Sequence, residues 1–282
     1  MQFTNIKLDS EGIISFESQG KICHNPFLIA LQALVGNIVM DDYPPNVEYL
    51  VPRYYSLEDL DNPVFCKSCI KAMEWIKSHY VEVGDAILWN YDYDGEYEGN
   101  ILKAPWHSSY GQSYVILSLV QWFFYTKEEE YERLLEKAIK GLVLPIEEGG
   151  CLNYDKNGIW FEEIIGENIT HIFNAHLISL IALIKVKEYT TFTWVEEYIE
   201  KGLNCFYSYA NQMDTGINSA YDRKKRYDCF WQIVPEDSGR NIFIKEVSII
   251  DDEKEHSLDL SKPSCFEMGE QWIAGIDWTE TD

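Results

Sequence analysis

The sequence predicts a mainly α chain: an α/α toroid, that is an incomplete α/α barrel, of helical hairpins with short β arms and a β-rich C-terminal tail. Three observations predict it. Nearly all-apolar helical stretches alternate with amphipathic ones, as an inner and an outer ring of helices require. Each round closes on an extended arm carrying Tyr-Asp, at Tyr91-Asp92, Tyr154-Asp155 and Tyr221-Asp222, spaced 63 and then 67 residues apart. From about Cys229 the helical texture gives way to short β-like runs. The division that follows is a toroid domain over residues 1–228 and a β-rich tail or truncated β module over 229–282.

Taken in order, residues 1–22 alternate weakly around Ser10-Glu11-Gly12 and predict a hairpin. Asn25-Pro26 opens a helix, with Asn25 as cap and Pro26 at the first helical position, and Leu28, Ile29, Leu31, Ala33, Leu34 and Val35 make most of its circumference apolar. Residues 41–61 are loop. Asn62-Pro63 repeats the start signal before the one-sided stripe Ile70, Met73, Trp75 and Ile76. Residues 86–92 form the first arm. His107 to Tyr125 is an apolar helix, Lys127 to Leu144 an amphipathic one, and residues 151–155 the second arm, followed by a turn from Gly158 to Glu163. Thr170 to Val186 and Thr193 to Gln212 repeat the pair before the third arm, 217–222. In the tail, residues 230–234, 241–247 and 271–276 have strand character, with a solvated turn at 251–255.

Composition narrows function. A net charge of −24 repels phosphate backbones, which excludes nucleic acid as a partner. The 19 Tyr and 9 Trp combine apolar rings with polar tips, a combination suited to sugar-contacting clefts and equally to the core and rim of a helical protein. Seven cysteines, an odd number without regular spacing, imply reduced thiols, and Cys66-Lys67-Ser68-Cys69 reads as helix packing. The first residues lack a basic segment followed by an apolar one, and Tyr114 to Tyr125 is too short to span a bilayer, so a cytoplasmic chain without a membrane span is expected. His171 and His176 are five apart, not the four of a paired metal site, and no Gly-rich phosphate loop is visible; neither metal nor cofactor is expected.

At Trp106 to Gln112, Trp160 to Asn174 and Tyr221 to Lys224 the sequence resembles the C-terminal catalytic domain of D-glucuronyl C5-epimerases, which remodel heparosan-type polysaccharides on an α/α toroid. The matching residues are Pro105-Trp106, Ser108 and Gln112 opening one inner helix; Trp160-Phe161-Glu162-Glu163 ahead of Asn174 and residues 179–183 in another; and Asp214-Thr215-Gly216 leading into Tyr221-Asp222. Carried over position by position, the resemblance implies Glu163 as the catalytic carboxylate, Tyr221 as a family tyrosine, and Lys224 at a cationic position where the family typically has arginine. Two positions depart from the pattern. Ile164 stands where a tyrosine follows the carboxylate, and a downstream Tyr-His pair has no counterpart.

Epimerisation at C5 removes a proton next to a carboxylate and returns one to the opposite face, so it needs a base, an acid and positive charge on the substrate carboxylate. Glu163 is the candidate base, its pKa raised if Trp160 and Phe161 desolvate it, and Tyr221 would donate or relay the second proton. Arg223, Lys224, Lys225 and Arg226, the densest positive run, would hold a uronate carboxylate or form a solvated loop. Glu162 reads as serving the dipole of the following helix. Gln112 and Asn174, near inner-helix starts, are candidates for sugar hydroxyls, with Trp106, Ser108 and Trp160 beside them. The expected partner is a polysaccharide or oligosaccharide with uronate residues. Two other readings stay open: a glycosidase or polysaccharide lyase using a carboxylate pair, Glu163 with Asp92 or Asp155, or a Tyr base, and a non-catalytic glycan-binding protein, favoured by Ile164 and the absent Tyr-His.

Overall fold

The structure is a computed structural model that describes residues 6–18, 20–34, 67–97, 99–213 and 221–223, together with the backbone of four short strands between 248 and 273. Its contacts divide the chain into two units, Met1–Lys224 and Lys225–Asp282.

The first unit is mainly α. It opens with a three-stranded antiparallel sheet, β1 (Lys7–Leu8), β2 (Ile14–Ser18) and β3 (Lys21–His24). Helix α1 (Pro26–Ala33) follows at once. The Asn25 side chain accepts the N–H groups of Phe27 and Leu28, which have no carbonyl partner within the helix, and Pro26 gives up no needed donor. The sheet is pinned to α1 by Gln32, whose oxygen accepts the Ile14 N–H at 2.8 Å and whose nitrogen donates to the Gly12 carbonyl at 2.7 Å and the Ser68 hydroxyl at 2.8 Å. Ser68 belongs to α2 (Lys67–Ser78), which buries Cys69, Ala72, Met73, Trp75 and Ile76 along one stripe. The start signal at Asn62-Pro63 lies outside the described residues.

Two further rounds repeat this order. Hairpins β4–β5 (Val81–Val83, Ala86–Leu88) and β6–β7 (Gly95–Tyr97, Asn100–Leu102) precede α3 (Ser109–Thr126), which is buried nearly all round, and α4 (Glu129–Val143), which is buried on one face. Hairpin β8–β9 (Leu152–Asp155, Gly158–Phe161) precedes α5 (Phe173–Tyr189) and α6 (Glu196–Tyr209). The stretch from Gly158, read from sequence as a turn, is therefore a strand up to Phe161. Gly158 permits this because α6 passes directly over it: a Cβ there would run into the Lys201 carbonyl, and its φ of +146° also favours glycine.

Helices pack in pairs, α1 with α2, α3 with α4 and α5 with α6, and the apolar members form a row in which α3 touches α1 on one side and α5 on the other. Amphipathic α2, α4 and α6 each pack against their own partner and are buried on one face. Cys23, Cys69, Cys151 and Cys205 are free thiols in the interior. Among the described residues no helix is long and apolar enough to cross a membrane.

In the second unit β10 (Ser248–Asp251) pairs with β11 (Lys254–Ser257), and β12 (Phe266–Glu267) with β13 (Trp272–Ile273), both antiparallel. The β10–β11 connection falls inside the turn predicted at 251–255. The strand predicted at 230–234 lies outside the described residues.

Candidate active site

The site is assembled where β9 leaves its hairpin. The Glu162 N–H donates to the Cys151 carbonyl at 2.9 Å, and its own carbonyl accepts the Ser109 N–H at 3.0 Å at the start of α3. The backbone here is thus fixed between two elements, and the consecutive acids point in different directions. Glu162 is fully buried. One of its carboxylate oxygens accepts from Asn153 Nδ2 at 3.0 Å, and the other accepts the His171 N–H at 3.2 Å. Helix α5 begins only at Phe173, so Glu162 does not serve the helix dipole as its position before a helix predicts; it holds the returning loop.

Glu163 turns to Tyr221. The Tyr221 hydroxyl donates toward the Glu163 carboxylate at 3.3 Å from Oε2 and 3.5 Å from Oε1, and the Tyr221 carbonyl accepts the Phe173 N–H at 2.9 Å. Tyr221 packs, with Tyr97, Trp106 and Tyr110, against an apolar wall of Leu102, Ile164, Ile172 and Ala175. Glu163 keeps partial solvent access, yet protein encloses it densely enough that burial pushes its carboxyl up to about 7, against a smaller downward pull from the Tyr221 hydrogen bond. Burial, and next the negative charge of Glu163, hold the Tyr221 phenol far above its usual range. Neighbouring Asp222, buried, accepts the Tyr97 hydroxyl at 2.7 Å.

Trp106 reaches the same wall and stacks on Tyr91 with ring centroids 4.1 Å apart and an interplanar angle of 8°, while its indole N–H donates to the Tyr93 carbonyl at 2.7 Å. Tyr91 is buried against Gly111, where a Cβ would collide with its hydroxyl, and bonds the Ser108 side chain. Burial, then the charges of Tyr93 and Glu163, push its phenol upward. Ser108 is buried and caps α3, accepting the Tyr110 N–H at 3.1 Å.

Two expected ligand contacts are instead committed to the interior. Gln112 is 1% exposed. Its nitrogen donates to the Ile87 and Ala138 carbonyls at 2.9 and 2.8 Å, and its oxygen accepts the Trp89 N–H at 3.4 Å, so it joins α3 to β5 and α4 and has no donor left for a sugar. Trp160 is 0% exposed, stacked between the rings of His171 at 4.8 Å and His176 at 4.0 Å. His176 accepts the Phe161 N–H and faces the Gly202 carbonyl, and burial pushes it down to about 3, which makes it a neutral core residue.

Asn174 is exposed on the first turn of α5. Arg223 faces α6: its guanidinium lies over the Tyr209 ring at 3.6 Å, its Nε donates to Gln212 at 3.4 Å, and Nη1 is 3.9 Å from Asp155. None of these partners belongs to the wall against which Tyr221 packs. Lys224, with Lys225 and Arg226, lies outside the described residues. Sequence reasoning missed Tyr97, whose surroundings (Gly95-Glu96-Tyr97) carry no distinctive pattern, and it missed the part of His171 that faces two carboxylates. Among the described residues no group of three or more His, Cys, Asp or Glu side chains is placed to hold a metal ion.

The arrangement sets a protonated phenol against a carboxyl that burial raises to about 7, a group suited to taking up a proton near neutral pH. A family model described as D-glucuronyl C5-epimerase C-terminus matches residues 84–230, more than half of the chain and the stretch that carries β5 through the Tyr221 segment. No curated protein matches the chain. By that match the chain belongs to the D-glucuronyl C5-epimerase C-terminal family.

Proposed function

We propose that the protein is a carbohydrate epimerase acting at C5 of uronate residues in a glucuronic-acid-containing polysaccharide or oligosaccharide. The observation that carries this reading is the Tyr221–Glu163 contact at 3.3 Å beside a carboxyl raised to about 7. A base poised near neutral pH is half ionised there, which suits removal of a proton from carbon. In the proposed step the C5–H bond breaks, its proton passes to Glu163, and the electron pair enters the substrate carboxylate as an enediolate. A new C5–H bond then forms on the opposite face.

A contact of 3.3 Å leaves no room for a sugar ring between the two side chains, so Tyr221 and Glu163 act as one proton-handling unit on one face, with Tyr221 relaying. The acid on the other face comes from a further group. Substrate contacts fall to Trp106 and Asn174, and the charge that steadies the enediolate to Lys224, because Arg223 is engaged by Tyr209, Gln212 and Asp155. The helical pairs α1–α6 are the described part of a toroid that carries this cleft, followed by the β-rich tail from about residue 229. The buried free thiols fit a reducing, cytoplasmic setting.

Incubating the protein with heparosan-type glycan in deuterated water tests the proposal. Deuterium at C5, with iduronate among the products, is expected, and no label at any pH from 5 to 9 would refute the activity on these substrates. The carboxylate-pair reading has less support. Asp92 accepts the His24 N–H and Asp155 is held by Tyr209 and His171, so each carboxylate already fastens its own arm.

A second reading, a glycan-binding protein without turnover, is favoured by Ile164. It is 6% exposed and fills an apolar gap among Leu102, Ile172 and Ala175 at the position where the family pattern has a tyrosine. Retained glycan affinity in Glu163→Ala, with no turnover by the parent protein, would select this reading.

A further inference from the structure

The geometry points to His171 as a positioning residue: its ring clamps Glu162 to Asp155 and so keeps Glu163 and Tyr221 at one another's side chains. The inference rests on the proton-transfer reading of that pair. His171 is 5% exposed, and each ring nitrogen faces a carboxylate oxygen. Nδ1 lies 2.6 Å from Glu162 Oε1, off the line of a hydrogen bond but well within ion-pair distance, and Nε2 lies 3.3 Å from Asp155 Oδ2. An ionised carboxylate only accepts, so the Asp155 contact needs its hydrogen on Nε2, while Nδ1 meets Glu162 by proximity.

The backbone of the same residue is gripped too, because its N–H donates to the second oxygen of Glu162. His171 adopts φ +51°, the left-handed region that a residue with a Cβ rarely occupies. Such a conformation persists when its surroundings over-determine it, and here they do: Trp160 stacks on one face of the ring, and carboxylates take both edges.

The clamp ties together the chain segments that carry the two reacting groups. Glu163 is the residue after Glu162 and the first of the loop that His171 closes. Two residues beyond His171, the Phe173 N–H donates to the Tyr221 carbonyl at 2.9 Å. On the far side Asp155 accepts the Tyr209 hydroxyl at 2.9 Å, touches Cys205 Sγ at 3.6 Å, and faces Arg223 two residues beyond Tyr221. Although burial pushes the Asp155 carboxyl up, the Asn157 N–H, Tyr209 and His171 together hold it below the usual range. His176 faces the other side of Trp160. His171 is thus the joint between the loop that presents Glu163 and the segment that presents Tyr221.

The test uses the full chain with His171→Gly, which tolerates φ +51°, and His171→Asn, which keeps one side-chain donor and also accepts the left-handed region. With far-ultraviolet circular dichroism unchanged, His171→Gly is expected to lower C5 deuterium incorporation about a hundredfold, the scale of a small misplacement of a catalytic group. Added imidazole should restore part of the loss, and His171→Asn should fall in between. Amide hydrogen exchange of residues 163–173 should rise about tenfold, Phe173 included, while α3 is unchanged. Parent-like incorporation together with parent-like amide protection would overturn the clamp, and so would lost incorporation with unchanged protection and no imidazole rescue. If the parent itself incorporates no deuterium, the proposed activity fails and the amide exchange alone decides on the clamp.

Discussion

Glu163→Gln should stabilise the protein at alkaline pH and not at acidic pH, because the native fold disfavours the ionised form of this carboxyl. Burial raises the Glu163 carboxyl from about 4.5 to about 7. Below pH 4.5 the group is protonated in both the folded and the unfolded chain, and it contributes no pH dependence. Between 4.5 and 7 the unfolded chain releases the proton while the folded chain keeps it, so stability falls as pH rises; above 7 the penalty is complete. At about 1.4 kcal/mol per unit the gap is worth about 3 kcal/mol, and the solvent that still reaches Glu163 reduces this to about 2 kcal/mol.

Glutamine keeps an oxygen to accept the Tyr221 hydroxyl but adds an amide that needs a partner, a cost of about 1 kcal/mol at every pH. The observable is therefore the swing. Relative to the parent, the variant should gain about 2 kcal/mol between pH 4 and pH 8, read from urea unfolding followed by tryptophan fluorescence. A difference that stays flat across this range, or grows in the opposite direction, would refute the assignment of a desolvated, near-neutral carboxyl at Glu163.

Three further outcomes are expected. Tyr221→Phe removes the one hydrogen bond that lowers the Glu163 carboxyl, so the apparent pKa in the pH profile of C5 deuterium incorporation should rise by about one unit, the equivalent of one modest bond to a charged group. Gln112→Leu leaves the Ile87 and Ala138 carbonyls and the Trp89 N–H buried without their partner; it should cost about 2–4 kcal/mol in denaturant unfolding while leaving the glycan affinity of the folded fraction unchanged. Asp92→Asn should destabilise most at mildly acidic pH, where Asp92 is ionised and His24 protonated. The His24 pKa is raised first by its hydrogen bond to Asp92, with burial opposing and Asp9 assisting, and Asp92 is itself lowered despite burial. The stabilisation is therefore full between about 4 and 6.5, is lost as pH rises through the folded His24 value, and is lost again in acid as Asp92 protonates. The loss in the variant should be about 1 kcal/mol near pH 5.5 and shrink toward pH 8, measured by thermal unfolding.

The helical order was legible because burial writes itself into periodicity: α3 and α5 are apolar nearly all round, and α4 and α6 on one face. The Asn25-Pro26 start was legible because a cap needs that chemistry at that place. The pairing of Glu163 with Tyr221, 58 residues apart, came from a family resemblance, since no periodicity encodes such a contact. Gln112 was misread for a definable reason. A buried amide at the start of an inner helix looks the same in sequence whether it bonds a sugar hydroxyl or a neighbouring backbone, and only the positions of Ile87 and Ala138 decide. Trp160 failed likewise: an aromatic beside a carboxylate can line a cleft or be the ring between two histidines. His171 was invisible because its φ and its two carboxylate partners depend on loop closure.

The three Tyr-Asp arms show how scaffold and chemistry divide within the repeat. All three aspartates fasten their arm to a distant element: Asp92 accepts the His24 N–H at 2.8 Å, Asp155 the Tyr209 hydroxyl at 2.9 Å, and Asp222 the Tyr97 hydroxyl at 2.7 Å. The tyrosines share no such role. Tyr91 is a buried wedge against Gly111, Tyr154 is 66% exposed, and Tyr221 meets Glu163. A position that every round uses alike is doing structural duty, whereas one that diverges is free to be recruited. The proposed chemistry falls at the third arm, where Glu163 follows β9 and the Phe173 N–H holds the Tyr221 backbone. On this argument, replacing Tyr154 with phenylalanine should alter neither stability nor proton exchange, while the same change at Tyr221 should move the exchange profile and leave the arm's aspartate bond in place.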